Sequence, residues 1–135
     1  RFRSIFGRVI FQSLRVMASP ISKFHSMSSD MNMTISKSEL KKMQSSADDA
    51  CKLMKVLSNR DRMMLLCEIA QGEKCVGELE SALDIHQPTL SQQLTVLRKE
   101  KLVKTRRDGK QIYYTLASQV AVAVMGLLYK HYCKK

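Results

Sequence analysis

The sequence predicts a mainly α domain of about five helices with one β-hairpin. From residue 36 onward, apolar residues recur at the spacing of amphipathic helices. A β-rich stretch at 102–116 interrupts this pattern, and one further apolar helix follows it. The chain has 135 residues, of which 44% are hydrophobic. That is enough for a packed core without disulfides or a structural metal.

The N-terminal region differs in character from the rest. Residues 1–29 contain no acidic side chain but five basic ones, and Ser-rich sequence follows. We expect residues 1–35 to be a disordered or leader extension, and residues 36–135 to be the folded domain. A transit peptide or a basic helix over 5–16 that lies on a membrane surface is the alternative interpretation of the extension.

The first helix is predicted from its cap and from a long apolar stripe. Ser36 and Glu39 have the spacing of a capping box. Apolar residues then recur at alternating intervals of three and four, the pattern of a helix that packs against a partner helix. These residues are Leu40, Met43, Ala47, Ala50, Met54 and Leu57.

The remaining elements follow in order. Helices are predicted over 61–71, 76–83 and 87–99, the last with Pro in its first turn, where the missing N–H does no harm. Two β-rich runs within 102–116 flank Asp-Gly-Lys, which indicates a hairpin turn. The final helix, 118–132, is apolar nearly all round, so we expect it to be buried, most simply against another subunit.

Two short helices, a tight turn and a hairpin in this order form a winged helix-turn-helix. The helices are 76–83 and 87–99, the turn is Asp84-Ile85-His86, and the hairpin is the wing. Because the first helix carries an apolar stripe and the last helix is apolar, the sequence predicts a homodimer formed through these two helices. The predicted fold class is therefore a mainly α, dimeric winged helix-turn-helix.

The predicted partner of this fold is double-stranded operator DNA. The net charge of +11 favours binding to a polyanion. Recognition helices present their N-terminal residues to the major groove, where Gln, Ser and Thr contact base edges, while Arg and Lys contact phosphates. The candidate DNA-binding residues are Gln87, Thr89, Ser91, Gln92, Thr95 and Arg98 of the helix, with Arg106, Arg107 and Lys110 of the wing.

The sequence from about residue 40 to 133 resembles the ArsR/SmtB family of bacterial repressors. The run that carries the similarity is KVLSNRDRMMLLCEIAQGEKCVGELESALDIHQPTLSQQLTVLRKEKLVKTRRDGKQIYYTL. It implies a helical dimer whose release from an inverted-repeat operator is controlled by a ligand. We expect a cytoplasmic protein, because four cysteines without a C-x-x-C pair are too few for a disulfide scaffold and fit a reducing compartment. We expect no enzyme, because no nucleophile–base or metal-ligand set recurs at catalytic spacing.

The metal site of the metal-sensing family members is incomplete in this sequence. Those members place Cys-Val-Cys-Asp-Leu at the start of the third helix, whereas here Cys75 is kept and Gly77 replaces the second Cys. The last helix offers Ser118, Gln119 and a lone His131 instead of zinc ligands. We therefore expect no metal and no cofactor, although a metal-responsive repressor that uses Cys75 with other thiols is an alternative.

Two other cysteines suggest a different signal. Cys67 lies among Met and Leu in the second helix, and Cys133 lies beside lysines at the end of the last helix, where cations stabilise a thiolate. This arrangement resembles the sulfide- and redox-responsive branch of the family. The resemblance implies that reactive sulfur species join Cys67 to Cys133 and weaken DNA binding.

Two further interpretations stay open. Cys67 is alternatively a small core residue, and the protein is alternatively an antirepressor-type activator without a chemical switch. No membrane partner is expected, because the longest uncharged apolar run, 120–128, is too short to span a bilayer.

Overall fold

The computed structural model describes residues 35–133, which form five helices and three strands. The prediction of an N-terminal extension over 1–35 lies, except for Ile35, outside the described residues. The mainly α winged helix-turn-helix is confirmed. In chain order the elements are α1 Lys37–Leu57, α2 Arg60–Ala70, β1 Lys74–Cys75, α3 Val76–Leu83, α4 Thr89–Lys99, β2 Val103–Asp108, β3 Gln111–Leu116 and α5 Gln119–Tyr132.

Helix α1 begins at the predicted capping box. The backbone N–H of Glu39 donates to Ser36 Oγ at 3.3 Å, and the backbone N–H of Ser36 donates to Glu39 Oε2 at 2.9 Å. The two bonds satisfy donors that the first helical turn leaves without intrahelical partners. The backbone bond to Ser36 lowers the pKa of the Glu39 carboxyl, since it stabilises the charged form.

The apolar core lies where α2, α3, α4 and the sheet meet. Its largest fully buried side chains are leucines, and the three that α4 contributes recur at spacings of four and three, as an amphipathic helix requires. This packing fixes which face of α4 is turned away from the protein. The six leucines are Leu65, Leu66, Leu79, Leu90, Leu94 and Leu97.

The wing is part of a three-stranded antiparallel sheet with the strand order β1-β3-β2. Strands β2 and β3 pair from Val103 with Leu116 to Asp108 with Gln111, and a two-residue turn joins them. Gly109 occupies this turn at φ +58°, a conformation that glycine adopts without steric cost. The predicted hairpin is thus confirmed, but the pairing of β1 with β3 was not predicted, because a strand of two residues has no recognisable pattern.

The start of α4 differs from the sequence prediction, whereas its end at Lys99 agrees with it. Helix α4 begins at Thr89, and Pro88 precedes it as the N-cap rather than occupying the first turn. At the other end of α4, Lys101 has φ +59°; its N–H donates to Arg98 O and that of Leu102 to Leu97 O, both bonds of a Schellman motif. In the described part of the chain, no helix combines the length and the apolar character needed to cross a membrane.

Parts of α1 and α5 expose apolar side chains in the single chain. Leu57, at the end of the predicted stripe, is buried, but Leu40, Met43 and Met54 are about half exposed. On α5, Met125 is buried against the core whereas Val120 and Leu127 face outward, with Leu127 65% exposed. Within the single chain, the last helix is therefore buried on one face only.

Candidate nucleic-acid interface and thiol pair

The turn between α3 and α4 sets the direction in which α4 leaves. Asp84 ends α3 in the left-handed conformation, at φ 53°, and its N–H donates to Glu80 O. His86 lies between two acidic side chains, with Nε2 2.9 Å from Asp84 Oδ1 and Nδ1 3.3 Å from Glu80 Oε1. These contacts hold His86 against α3, and the N–H of Leu90 in α4 donates to His86 O at 3.1 Å, so α3 and α4 form one helix-turn-helix unit.

Helix α4 divides into a buried and a polar exposed face. Ser91, Thr95 and Arg98 each follow one of the three core leucines by one position, which places them about 100° further round the helix, and Gln92 lies one position beyond Ser91. The structure therefore brings most of the predicted base- and phosphate-contacting residues onto one surface. Of the six, Thr89 is half-buried and Gln87, Ser91, Gln92, Thr95 and Arg98 are exposed.

Three of these polar side chains already bond within the helix-turn-helix. The side-chain oxygen of Gln87 accepts from the hydroxyl of Ser91 and from its backbone N–H, so Gln87 caps α4 in place of Pro88. Thr95 Oγ1 donates to Ser91 O at 2.7 Å. Such bonds orient the side chains on the helix surface. Gln92 is exposed on α4, and no hydrogen bond occupies its side-chain amide in the described part of the chain, so that amide can contact a base bidentately.

The wing places its predicted basic residues at the surface, but they differ in their contacts. Arg106 donates from Nε and Nη2 to the carboxylate of Glu73, at 2.6 to 3.1 Å, and from Nη1 to Asp108 Oδ2 at 3.2 Å. Its guanidinium also lies over the ring of Tyr113. The bonds to Glu73 and then to Asp108 raise the pKa of Arg106 above its already high value. Arg107 and Lys110 are exposed, and Arg107 Nε donates to Gly109 O.

Glu73 is thus a residue of the wing that sequence reasoning missed. It lies 33 positions from Arg106, in the loop before β1, and nothing in the local pattern indicates the pairing. The ion pair holds the wing against this loop. It also means that a phosphate which approaches Arg106 has to compete with two carboxylates.

The two predicted sensor cysteines lie near each other although they are far apart in sequence. Cys67 is half-buried on α2 and packs against the core, whereas Cys133 is exposed at the C-cap of α5. Burial raises the pKa of Cys67 to about 11, and the nearby Cys133 and Glu68 act in the same direction. Both cysteines are free thiols.

The surroundings of the two thiols are therefore unequal. Glu68, which follows Cys67 in the sequence, is buried and forms an ion pair with Lys74, whose Nζ lies 3.5 Å from Glu68 Oε1. Cys67 is held protonated at neutral pH, whereas Cys133 is open to solvent. Lys134 and Lys135, part of the argument for an activated Cys133, lie outside the described residues.

The other two cysteines lie elsewhere. Cys51 is exposed on α1, and Cys75 is half-buried at the N-cap of α3, where its backbone N–H donates to Glu78 Oε2 at 2.8 Å. Among residues 35–133, no three His, Cys, Asp or Glu side chains converge in a group that could hold a metal ion.

Comparison with known sequences agrees with the fold and with the helix-turn-helix. The model of the bacterial regulatory protein family named arsR matches residues 59–105. The biofilm growth-associated repressor of Agrobacterium fabrum is 50% identical over 91 residues, which are 67% of this chain and 78% of that protein. The transcriptional activator HlyU of Vibrio cholerae is 38% identical over 95 residues, which are 70% of this chain and 88% of that protein.

Solved structures show the same similarity. The crystal structure of the transcriptional repressor BigR from Xylella fastidiosa superposes with a TM-score of 0.66 at 43% identity, covering 76% of this chain and all of that chain. A homodimeric winged helix-turn-helix DNA-binding domain from Mycobacterium bovis superposes with a TM-score of 0.56 at 30% identity. The alignment covers 67% of this chain and 83% of that domain.

Proposed function

The chain belongs to the ArsR family of bacterial regulatory proteins, and from that premise we propose that it is a dimeric transcriptional repressor with a thiol switch. It binds operator DNA in its reduced state and leaves it when Cys67 and Cys133 become bridged. The family consists of transcription regulators, so the chain is not an enzyme. The observation that carries the proposal is the exposed polar face of α4 beside a basic wing.

The division of labour on the DNA follows from the side chains. Gln92 offers one donor and one acceptor, which match the N7 and N6 atoms of adenine, and Ser91 lies next to it. Arg98 at the end of α4, with Arg107 and Lys110 of the wing, supplies charge for phosphates, which fixes register without reading sequence. The three core leucines bury one face of α4 in the protein, so the polar surface that carries Gln92 and Ser91 stays available to the major groove.

A dimer supplies the second half-site. The exposed apolar side chains of α1 and α5 favour association, because surfaces of this kind are costly to leave in water. The similar domain from Mycobacterium bovis is a homodimer. Two α4 helices related by a twofold axis would read an inverted repeat, so operator symmetry and protein symmetry match.

The DNA-binding part is tested on a duplex selected by the wild-type protein from a random-sequence pool. Gln92→Ala should weaken binding to this duplex by about 1–3 kcal/mol and spare random DNA. Arg107→Ala should weaken both and reduce the slope of log affinity against log salt by about one. If Gln92→Ala keeps the full discrimination between the two duplexes, Gln92 does not read a base.

The proposed switch requires no oxidant beyond the sulfur donor. The Cys133 thiolate attacks the outer sulfur of an organic persulfide, RSSH, forming a Cys133 persulfide and releasing the thiol RSH. Cys67 gives up its proton and attacks the inner sulfur, so that a disulfide forms and hydrogen sulfide leaves. Where Cys67 is itself persulfidated, its terminal sulfur attacks instead and a trisulfide forms, again with loss of hydrogen sulfide.

The unequal surroundings support this order of events. An exposed thiol meets the donor first, and a thiol kept protonated by burial reacts second, inside the protein. A direct disulfide needs Cα atoms within about 7 Å, and an inserted sulfur relaxes that limit. Intact mass and peptide mapping after persulfide treatment distinguish the products, since the disulfide loses two hydrogens and the trisulfide also gains one sulfur. A bridge mapped to Cys51 or Cys75 would contradict the assignment.

An antirepressor-type activator is the second candidate, because the similar protein from Vibrio cholerae is called an activator. Both candidates use the same DNA-binding surface. They differ in the effect of the protein on a promoter that contains its selected site. A purified transcription system with and without the protein separates them: a repressor lowers the transcript level by itself, whereas an antirepressor raises it only when a silencing protein is present.

A further inference from the structure

One side chain on α2 connects the end of α1 to the recognition helix α4. Arg62 lies in the first turn of α2, half-buried, and its own backbone N–H donates to the N-cap residue Asn59. Its guanidinium bonds in two directions. Towards α1, Nε donates to Val56 O at 2.7 Å and Nη2 to Lys55 O at 3.3 Å.

The bonds to α1 have a clear physical reason. Lys55 and Val56 belong to the last turn of α1, whose carbonyls lack intrahelical partners and carry the negative end of the helix dipole. A guanidinium there satisfies two acceptors with charge-assisted bonds. Arg62 thus serves as a C-terminal cap of α1, which on its own is a structural role.

The third bond has no such explanation. Arg62 Nη1 donates to Gln93 Oε1 at 2.9 Å, across 31 positions of sequence. Gln93 is half-buried on α4, between the exposed Gln92 and the buried Leu94. A guanidinium has five N–H donors in a rigid planar arrangement, so holding two carbonyls of α1 fixes the direction in which Nη1 points. The position of Gln93 is thereby tied to the end of α1.

We propose that Arg62 is a positioning residue that fixes the recognition helix relative to α1 and thereby sets the half-site spacing that the dimer accepts. This inference rests on the proposed function, in which α1 belongs to the dimer interface and α4 enters the major groove. If the bond to Gln93 is lost, each α4 keeps its core leucines but gains rotational freedom about them. The α4 helices of the two subunits then no longer keep a fixed distance from each other.

The test compares Gln93→Met, Arg62→Met and the double variant on the duplex selected by the wild-type protein. Methionine matches the length of Gln93 and replaces the aliphatic part of Arg62, and Gln93→Met leaves the cap of α1 intact, so its unfolding in urea should match that of the wild type. We expect each single variant to lose affinity on the order of tenfold. The double variant should lose no more than Arg62→Met alone, because both changes break the same bond. Duplexes with one base pair added or removed between the half-sites should bind the variants with a smaller penalty than the wild type.

The outcomes separate the inference from the function on which it rests. If the wild type selects no duplex, the proposed function fails. If it does and the two single variants lose affinity additively, Gln93 acts on DNA independently of Arg62 and the positioning role is wrong. Wild-type spacing preference in a correctly folded Gln93→Met protein would overturn the inference as well.

Discussion

The raised pKa of Cys67 predicts an unusual pH dependence of its reactivity. Only the thiolate is alkylated, so the rate at Cys67 follows the thiolate fraction. With a pKa of about 11, roughly 0.1% of Cys67 is ionised at pH 8. A thiol with the ordinary pKa of 9.0 is about one tenth ionised at the same pH. Folding should therefore slow alkylation of Cys67 by a factor of about 100 at pH 8 through ionisation alone.

The assay is alkylation of reduced protein with iodoacetamide, resolved by peptide mass spectrometry from pH 7 to pH 10.5. The rate at Cys67 should rise about tenfold per pH unit to at least pH 10, because the midpoint lies beyond that range. Steric shielding by the core lowers the absolute rate but not this slope. The matched control is the same cysteine in urea-unfolded protein, where the rate should level off near pH 9.

A plateau in the alkylation rate at lower pH would contradict this expectation. If the rate at Cys67 levels off between pH 8 and 9 while circular dichroism shows that the fold is intact, burial does not hold the thiol protonated. Ionisation would then no longer favour Cys133 as the first thiol to attack the sulfur donor. The order of events proposed for the switch would rest on the greater exposure of Cys133 alone, and the bridge itself would not be affected.

Three further outcomes are expected. Leu127→Asp places a charge on the exposed apolar face of α5 and should therefore convert the dimer into a monomer. Sedimentation at micromolar concentration measures this, and an unchanged dimer would exclude this face from the interface. Glu73→Gln removes the charge of the main partner of Arg106, so random DNA should bind more tightly, and the slope of log affinity against log salt should become steeper by about one. An unchanged slope would show that Arg106 contacts no phosphate. Leu66→Ala, at a fully buried position, should lower the free energy of unfolding by about 2–5 kcal/mol in urea, and a loss below 1 kcal/mol would contradict the core assignment.

The features predictable from sequence are those that local spacing encodes. The inward face of α4 could be predicted because Leu90, Leu94 and Leu97 repeat at helical intervals, and burial of that face follows from hydrophobicity alone. The capping box of α1 and the glycine turn of the wing were predictable for the same reason. Each depends on residues within four positions of one another.

The features that could not be predicted join distant residues. The bond from Arg62 to Gln93 spans 31 positions and that from Arg106 to Glu73 spans 33. Both depend on how helices and strands pack, which a single sequence does not encode in its periodicity. The raised pKa of Cys67 likewise follows first from burial in the folded protein and then from the charge of Cys133, which lies far away in sequence.

The proximity of the two sensor cysteines was not encoded by local spacing, yet it was expected from the family resemblance. Cys67 and Cys133 stand 66 positions apart, and no spacing rule connects them. Their pairing was predicted only from the resemblance to the sulfide-responsive branch. In the structure Cys133 helps to raise the pKa of Cys67, so the two thiols lie within range of each other's charge.

Operator affinity before and after persulfide treatment shows whether one thiol pair controls operator binding. The affinity of the wild type should fall about 5- to 150-fold, the usual range of allosteric coupling, and recover on reduction. Cys51→Ser and Cys75→Ser should respond as the wild type does, whereas Cys67→Ser and Cys133→Ser should keep their full affinity after treatment. A Cys133→Ser protein that still leaves the operator on treatment would contradict the account.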